Sequence, residues 1–291
     1  MGDRHVTPAD FPLLCGALKV FATATATQGQ EHIRPFHQYV ATRLVVEGGF
    51  HPDEITPHPP LRASLKAGKV LLDYDPSVQT TSERTVFGGM KTKQIDVVVS
   101  KEGIGPVVAI SVKGTLGAYR NLVNRMEEAI GDSTNLHVMY PGLVYGFLHL
   151  LRANREAGGY NAKDMGIASD GTVCPMIQRY YAALCEMTGR RFVRNDYTRY
   201  ESVGLAVIEK DPETAGAVNT DFPSSDSSLR IEPFFSRVYE VYDLRFPFRA
   251  ESIPGALREE WSAESPLFRE LSQGDPTQLH ELLGYVPRLH A

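Results

Sequence analysis

The stretch KQIDVVVSKEGIGPVVAISVKG, residues 93–114, reads as two strands joined by a glycine-containing turn. A plain core hairpin would be aliphatic throughout. Here Asp96 opens one apolar run, and Ser111 and Lys113 interrupt the other. Successive side chains of a strand face opposite sides. Val108, Ile110 and Val112 therefore share one face, and Ala109, Ser111 and Lys113 share the other. Ser111 and Lys113 lie about 7 Å apart on that surface, and Asp96 can meet Lys113 across neighbouring strands.

A fourth group comes from the segment that follows. From about Ala118 to Gly131 the apolar residues Tyr119, Leu122, Val123, Met126, Ala129 and Ile130 recur at three-and-four spacing, which predicts an amphipathic helix. At about 100° per residue, Glu127 falls at the edge of that stripe and Glu128 faces away. Glu127 is therefore the acid expected to join Asp96, Ser111 and Lys113. Two carboxylates, a hydroxyl and a backbone carbonyl, that of Val112, suit a hard cation such as Mg²⁺. Such an ion polarises a phosphoryl oxygen and acidifies a bound water. A nearby lysine can hold the attacking water and offset developing charge. That is the chemistry of phosphodiester hydrolysis.

An Asp on one strand, x-Lys two residues past a polar position on the next, then a helix, resembles the PD-(D/E)xK nuclease superfamily. The middle letter here is Ser, in SVK (111–113). One group of type II restriction endonucleases, including enzymes that read CCGG-containing sites, carries Ser-x-Lys on the strand and takes a Glu from the following helix. Glu127 lies fourteen residues after Lys113, the spacing that group leads one to expect. No Pro precedes Asp96; Ile95 stands there. The resemblance covers roughly residues 34–150. It implies a restriction-endonuclease-like α/β fold, a central mixed sheet flanked by helices. It also implies a Mg²⁺-dependent, sequence-specific endonuclease acting on double-stranded DNA and leaving 5′-phosphates. A homodimer, or a tetramer, would read a palindromic site. A DNA methyltransferase would accompany it in the same system without being a physical partner. The alternatives are another nuclease of the superfamily (repair, phage or modification-dependent) and a DNA-binding protein of this fold without catalysis. First-helix acids assist in some relatives, which makes Glu47 an accessory candidate.

These groups need elements to position them. RPFHQYVATRLVVE (34–47) predicts a helix with Pro35 in its first turn and glycines after it. KVLLDYD (69–75) predicts a strand, NLHVMY (135–140) a short strand, and GLVYGFLHLLRANRE (142–156) a buried helix. CPMIQRYYAALCEMTGR (174–190) reads as a helix and YESVGLAVIEK (200–210) as a strand. The chain of 291 residues is expected to form one domain, with a catalytic core at about 34–150. Residues 151–291 are expected to add DNA-recognition and dimerisation elements.

Composition is that of a globular protein, with 42% hydrophobic and 22% charged residues and a net charge of −5. Three widely spaced cysteines support neither a disulfide framework nor a zinc ribbon. The apolar stretches are too short to span a bilayer, and a cytoplasmic location without membrane contact is expected. The net acidity does not exclude a nucleic-acid partner, because charge can be segregated. GRRFVRNDYTRY (189–200) carries four arginines against one acid, interleaved with aromatic and amide groups. Arg190, Arg191, Arg194, Arg199 and Asn195 are the residues expected to contact phosphates or base edges.

Overall fold

A computed structural model describes residues 7, 9–25, 29–116, 122–156, 166–168, 170–247, 255–273 and 275–290. The helices are α1 (Leu14–Thr23), α2 (Arg34–Val46), α3 (Leu122–Met139), α4 (Pro175–Glu186), α5 (Ile231–Arg245), α6 (Pro266–Ser272) and α7 (Pro276–Leu283). The strands are β1 (Ile55–Thr56), β2 (Leu61–Lys66), β3 (Lys69–Tyr74), β4 (Arg84–Phe87), β5 (Thr92–Ile95), β6 (Val97–Lys101), β7 (Gly105–Thr115), β8 (Val144–Glu156), β9 (Gly166–Ala168) and β10 (Ser202–Glu209). The protein is α/β. Its central sheet runs β1-β6-β7-β8-β10, with β9 paired to β8. β1, β6 and β7 are antiparallel neighbours, whereas β7, β8 and β10 are parallel. β2–β3 and β4–β5 are separate antiparallel hairpins.

The sheet has an apolar layer on each face. Val108, Ile110 and Val112 of β7 pack with α1, α2, α5 and Trp261. Ala109 packs on the opposite side with Met126 and Leu136 of α3 and Ile177, Tyr180 and Leu184 of α4. This is the face alternation expected from the strand period. The second half of the chain is woven into the same core, since β10 pairs with β8 along its whole length and α5 covers the sheet. α2 begins at Arg34 beside Pro35 and ends before Gly49. Gly49 has φ +71, and a Cβ there would run into the Glu259 carbonyl, so only glycine turns the chain at that point.

Two expected elements differ. Residues 135–139 are not a strand; they complete α3, which runs unbroken to Met139. Residues 144–156 are not a helix but the long parallel strand β8. A strand buried on both faces is apolar almost throughout, so periodicity does not separate it from a buried helix. The crossover from β7 through α3 to β8 decides between them, because a parallel pair needs a connection of this kind. The expected start of α3, including Tyr119, lies outside the described residues. Among the described residues no helix is long and apolar enough to cross a membrane.

Candidate metal centre

Asp96 sits at the single-residue break where the chain leaves the β4–β5 hairpin and enters the central sheet as β6. The β6–β7 ladder begins at Val97, opposite Ile110. Beyond it the Val112 N–H points past the end of β6. The Asp96 carboxylate accepts that N–H through Oδ2 at 2.7 Å, so the side chain replaces a missing ladder partner. The N–H and C=O of one strand residue face the same edge, so the Val112 carbonyl opens toward the same gap.

Two further groups converge on Asp96. His37, in the first turn of α2, places Nε2 3.7 Å from Asp96 Oδ1. Glu83, just before β4, shares a hydrogen bond with Asp96, and the Gln30 amide holds Glu83 Oε1. One ligating atom from each of His37, Glu83 and Asp96 lies within 4.8 Å of the others. Burial pushes the Asp96 carboxyl above its ordinary range, against the pull of the Val112 N–H and the Lys113 charge. Burial, and then the Asp96 charge, push Glu83 up as well. Burial lowers His37 to about 4, with the Lys113 and Arg34 charges acting the same way and Glu83 opposing them. Two carboxyls that both resist ionisation, facing a neutral imidazole, make a site short of positive charge at its centre. The donor set therefore fits a divalent cation.

Lys113 is half-buried on β7, and its charge reaches both Asp96 and His37. It lines a narrow cleft with Ser111, Arg125, Glu128, Asp132, His149 and Tyr200. The Ser111 hydroxyl is buried and hydrogen-bonded to the Tyr145 hydroxyl at 2.8 Å.

The structure brings Asp96 and Lys113 together but not Glu127. Glu127 is exposed and, among the described residues, has no ion pair or hydrogen bond with Asp96, Ser111 or Lys113. Glu128 lines the cleft instead and lies 3.5 Å from Lys93 Nζ. The expected stripe counted Val123 and Ile130 as buried, yet both are exposed. The buried face is formed by Met126, Ala129, Asp132, Ser133, Leu136 and His137. That face is rotated by about 50° from the predicted one, which swings Glu128 toward the cleft and Glu127 away.

Glu47 is not an accessory group here. It lies at the far end of α2, about 15 Å along the axis from His37. Arg43 holds it at 2.6 and 3.0 Å, and the Tyr239 hydroxyl donates to it at 3.1 Å. His37 carries a sequence signal of its own, a titratable side chain within a helix otherwise rich in apolar residues. Glu83 lies in TTSERT, a polar run with no pattern that separates it from its neighbours.

Of the arginine-rich loop, Arg190 is buried rather than DNA-facing. Its guanidinium pairs with Glu201 and donates to the Pro141 and Val193 carbonyls at 2.9 and 2.8 Å. The Asn195 side chain accepts the Phe192 N–H and closes a local turn. Arg191, Arg194 and Arg199 are exposed. The loop beneath them is pinned: Arg245 donates to the Arg191 carbonyl, and the Ser133 hydroxyl lies within hydrogen-bond reach of the Tyr197 and Arg199 carbonyls.

His149, on β8 across from Lys113, is fully buried, with Nε2 3.3 Å from the Thr115 hydroxyl. Burial, and then the Arg125 and Lys113 charges, lower its pKa to about 3. A histidine depressed in the fold binds fewer protons than in the unfolded chain. Its stabilising contribution is therefore present above about pH 6.5 and is lost as the pH falls toward 3, at up to about 1.4 kcal/mol per pH unit. Denaturant unfolding across this range is expected to show that loss, and His149→Gln to flatten it. Identical pH profiles for the two proteins would contradict the assignment. No family model matches the chain, and no curated protein or solved structure matches it either.

Proposed function

We propose that the protein is a divalent-metal-dependent endonuclease acting on double-stranded DNA, with the character of a type II restriction enzyme. The observation that carries this reading is Asp96: its carboxylate is fixed by the Val112 N–H, faces Glu83 and His37, and feels the charge of Lys113 on the adjoining strand. The resemblance supplies Mg²⁺ as the first cofactor to test. When bound, the ion polarises a phosphoryl oxygen and acidifies water. The chain's own part is positional and electrostatic. Asp96 and Glu83 supply anionic oxygens held by outer hydrogen bonds from Val112 and Gln30. Lys113 holds the attacking water and offsets charge on the phosphorane-like transition state. Water oxygen bonds to phosphorus, the bond to the 3′-oxygen breaks, and the products are a 5′-phosphate and a 3′-hydroxyl. A palindromic target would be met by a two-fold dimer.

The direct test is incubation with a defined plasmid and Mg²⁺ or Mn²⁺, followed by sequencing of the ends. Discrete ends carrying 5′-phosphates support the reading. DNA left intact with every divalent ion, but still bound in EDTA, would instead favour a non-catalytic DNA-binding protein.

Arg191, Arg194 and Arg199 supply the DNA-facing charge. Phosphate contacts release counterions, so each one adds to the salt dependence of binding. Arg191→Ala with Arg194→Ala is expected to weaken duplex binding about tenfold and to lower the slope of log affinity against log salt by about 1–2. Fluorescence anisotropy in EDTA measures both, and an unchanged slope would remove the loop from the interface.

A further inference from the structure

The ion implied by the resemblance is Mg²⁺, which is small, hard and served by oxygen donors. The donor set found here departs from that pattern, because one of the three groups is an imidazole. The His37 side chain is 4% exposed, and its Nε2 has no hydrogen-bond partner. A buried polar atom left without a partner costs free energy unless something else satisfies it. That nitrogen is turned toward Asp96 Oδ1, the carboxylate oxygen that the Val112 N–H does not take. Glu83 completes the group, its Oε1 held by Gln30. Imidazole nitrogen suits first-row transition ions, and carboxylate oxygen suits Mg²⁺, Ca²⁺ and Mn²⁺. Mn²⁺ shares the oxygen preference of Mg²⁺ and, as a first-row transition ion, also takes an imidazole, so of these two ions it is the one the mixed set favours.

We propose that His37, Glu83 and Asp96 form a divalent-cation site, with one nitrogen and two carboxylate donors, that prefers Mn²⁺ to Mg²⁺. The proposal deepens the nuclease reading by naming the ion, and it is measured without DNA, so the two can fail separately. Mn²⁺ is titrated into the full chain while the electron paramagnetic resonance signal of free aqueous Mn²⁺ is followed, with Mg²⁺ as competitor and thermal unfolding in parallel.

Wild type is expected to bind Mn²⁺ and to require at least about tenfold more Mg²⁺ for displacement. His37→Asn is expected to weaken Mn²⁺ by about tenfold or more and to leave Mg²⁺ nearly unchanged. His37→Asp, which makes the set all-oxygen, is expected to move the preference toward Mg²⁺. Glu127→Ala, outside the cluster, is expected to bind Mn²⁺ as wild type does. Displacement by Mg²⁺ at equal concentration overturns the proposal, and so does undiminished Mn²⁺ binding by a folded His37→Asn protein. If neither His37 variant folds, the wild-type competition alone decides. Mn²⁺ bound selectively without any DNA cleavage would sustain this site and sink the nuclease reading.

Discussion

Asp96→Asn is expected to reduce metal-dependent DNA cleavage by roughly 10³-fold, the scale seen when one preorganised group is removed from a charge-stabilising site. Its carboxylate does two things at once: it accepts the Val112 N–H and it offers Oδ1 to the centre shared with His37 and Glu83. The amide keeps the size of the side chain but removes the charge, so a folded and inactive protein is the expected result. Glu83→Gln is expected to behave similarly. Lys113→Ala is expected to lose cleavage to a comparable degree while keeping its metal, because Lys113 acts through its charge and is not one of the converging ligands. Glu127→Ala is expected to stay within a few-fold of wild type, since the side chain points away from the cleft. Plasmid cleavage and far-ultraviolet circular dichroism on the same preparations decide the matter. Wild-type cutting by Asp96→Asn would end the assignment, and a collapse of activity in Glu127→Ala would reinstate the helix glutamate in place of Glu83.

Glu201→Ala is expected to cost about 3–5 kcal/mol of folding stability, the loss typical of breaking a buried ion pair. Glu201 is fully buried at the start of β10, as is His137 at the end of α3, whose Nε2 lies 3.3 Å away. Arg190 and Arg245 pair with Glu201 Oε1, and the Tyr145 N–H donates to Oε2 at 2.7 Å. Burial alone would raise the pKa of this carboxyl, but the bond to His137 and the two arginine charges hold it below the ordinary value. Removing it leaves two guanidinium groups in the interior with only carbonyl partners. For a chain of this length the melting temperature is expected to fall by about 5–8 °C. Glu201→Gln keeps the shape and part of the hydrogen bonding and is expected to fall between the two. A drop of less than about 1 kcal/mol in Glu201→Ala would show that the arginines are satisfied without it. The cluster also explains why Arg190 is buried: it ties the loop of exposed arginines to the sheet.

The β7 strand was legible because a strand has a period of two, and every other residue of 108–113 reports its face. Helix α2 was legible from Pro35 and the glycines that end it. Strand β8 was not, because burial on both faces erases the period, and only its parallel pairing with β7 and β10 identifies it. The phase of α3 was misread for a related reason. Asp132, Ser133 and His137 are buried polar residues in contact with partners distant in the chain, so hydrophobicity alone points to the wrong arc.

By itself the sequence determined the chemistry on offer: an acid at the opening of one strand, a hydroxyl and an amine on one face of the next, and a basic loop further on. Each follows from local rules of alternation, capping and charge. The tertiary structure alone decided which groups meet. His37 and Glu83 reach Asp96 because α2 packs against the sheet and the β4–β5 hairpin leads into β6, contacts between segments distant in the chain. Glu127 is excluded by a rotation of one helix about its axis, which the packing of α3 on the sheet sets and its own pattern of side chains does not.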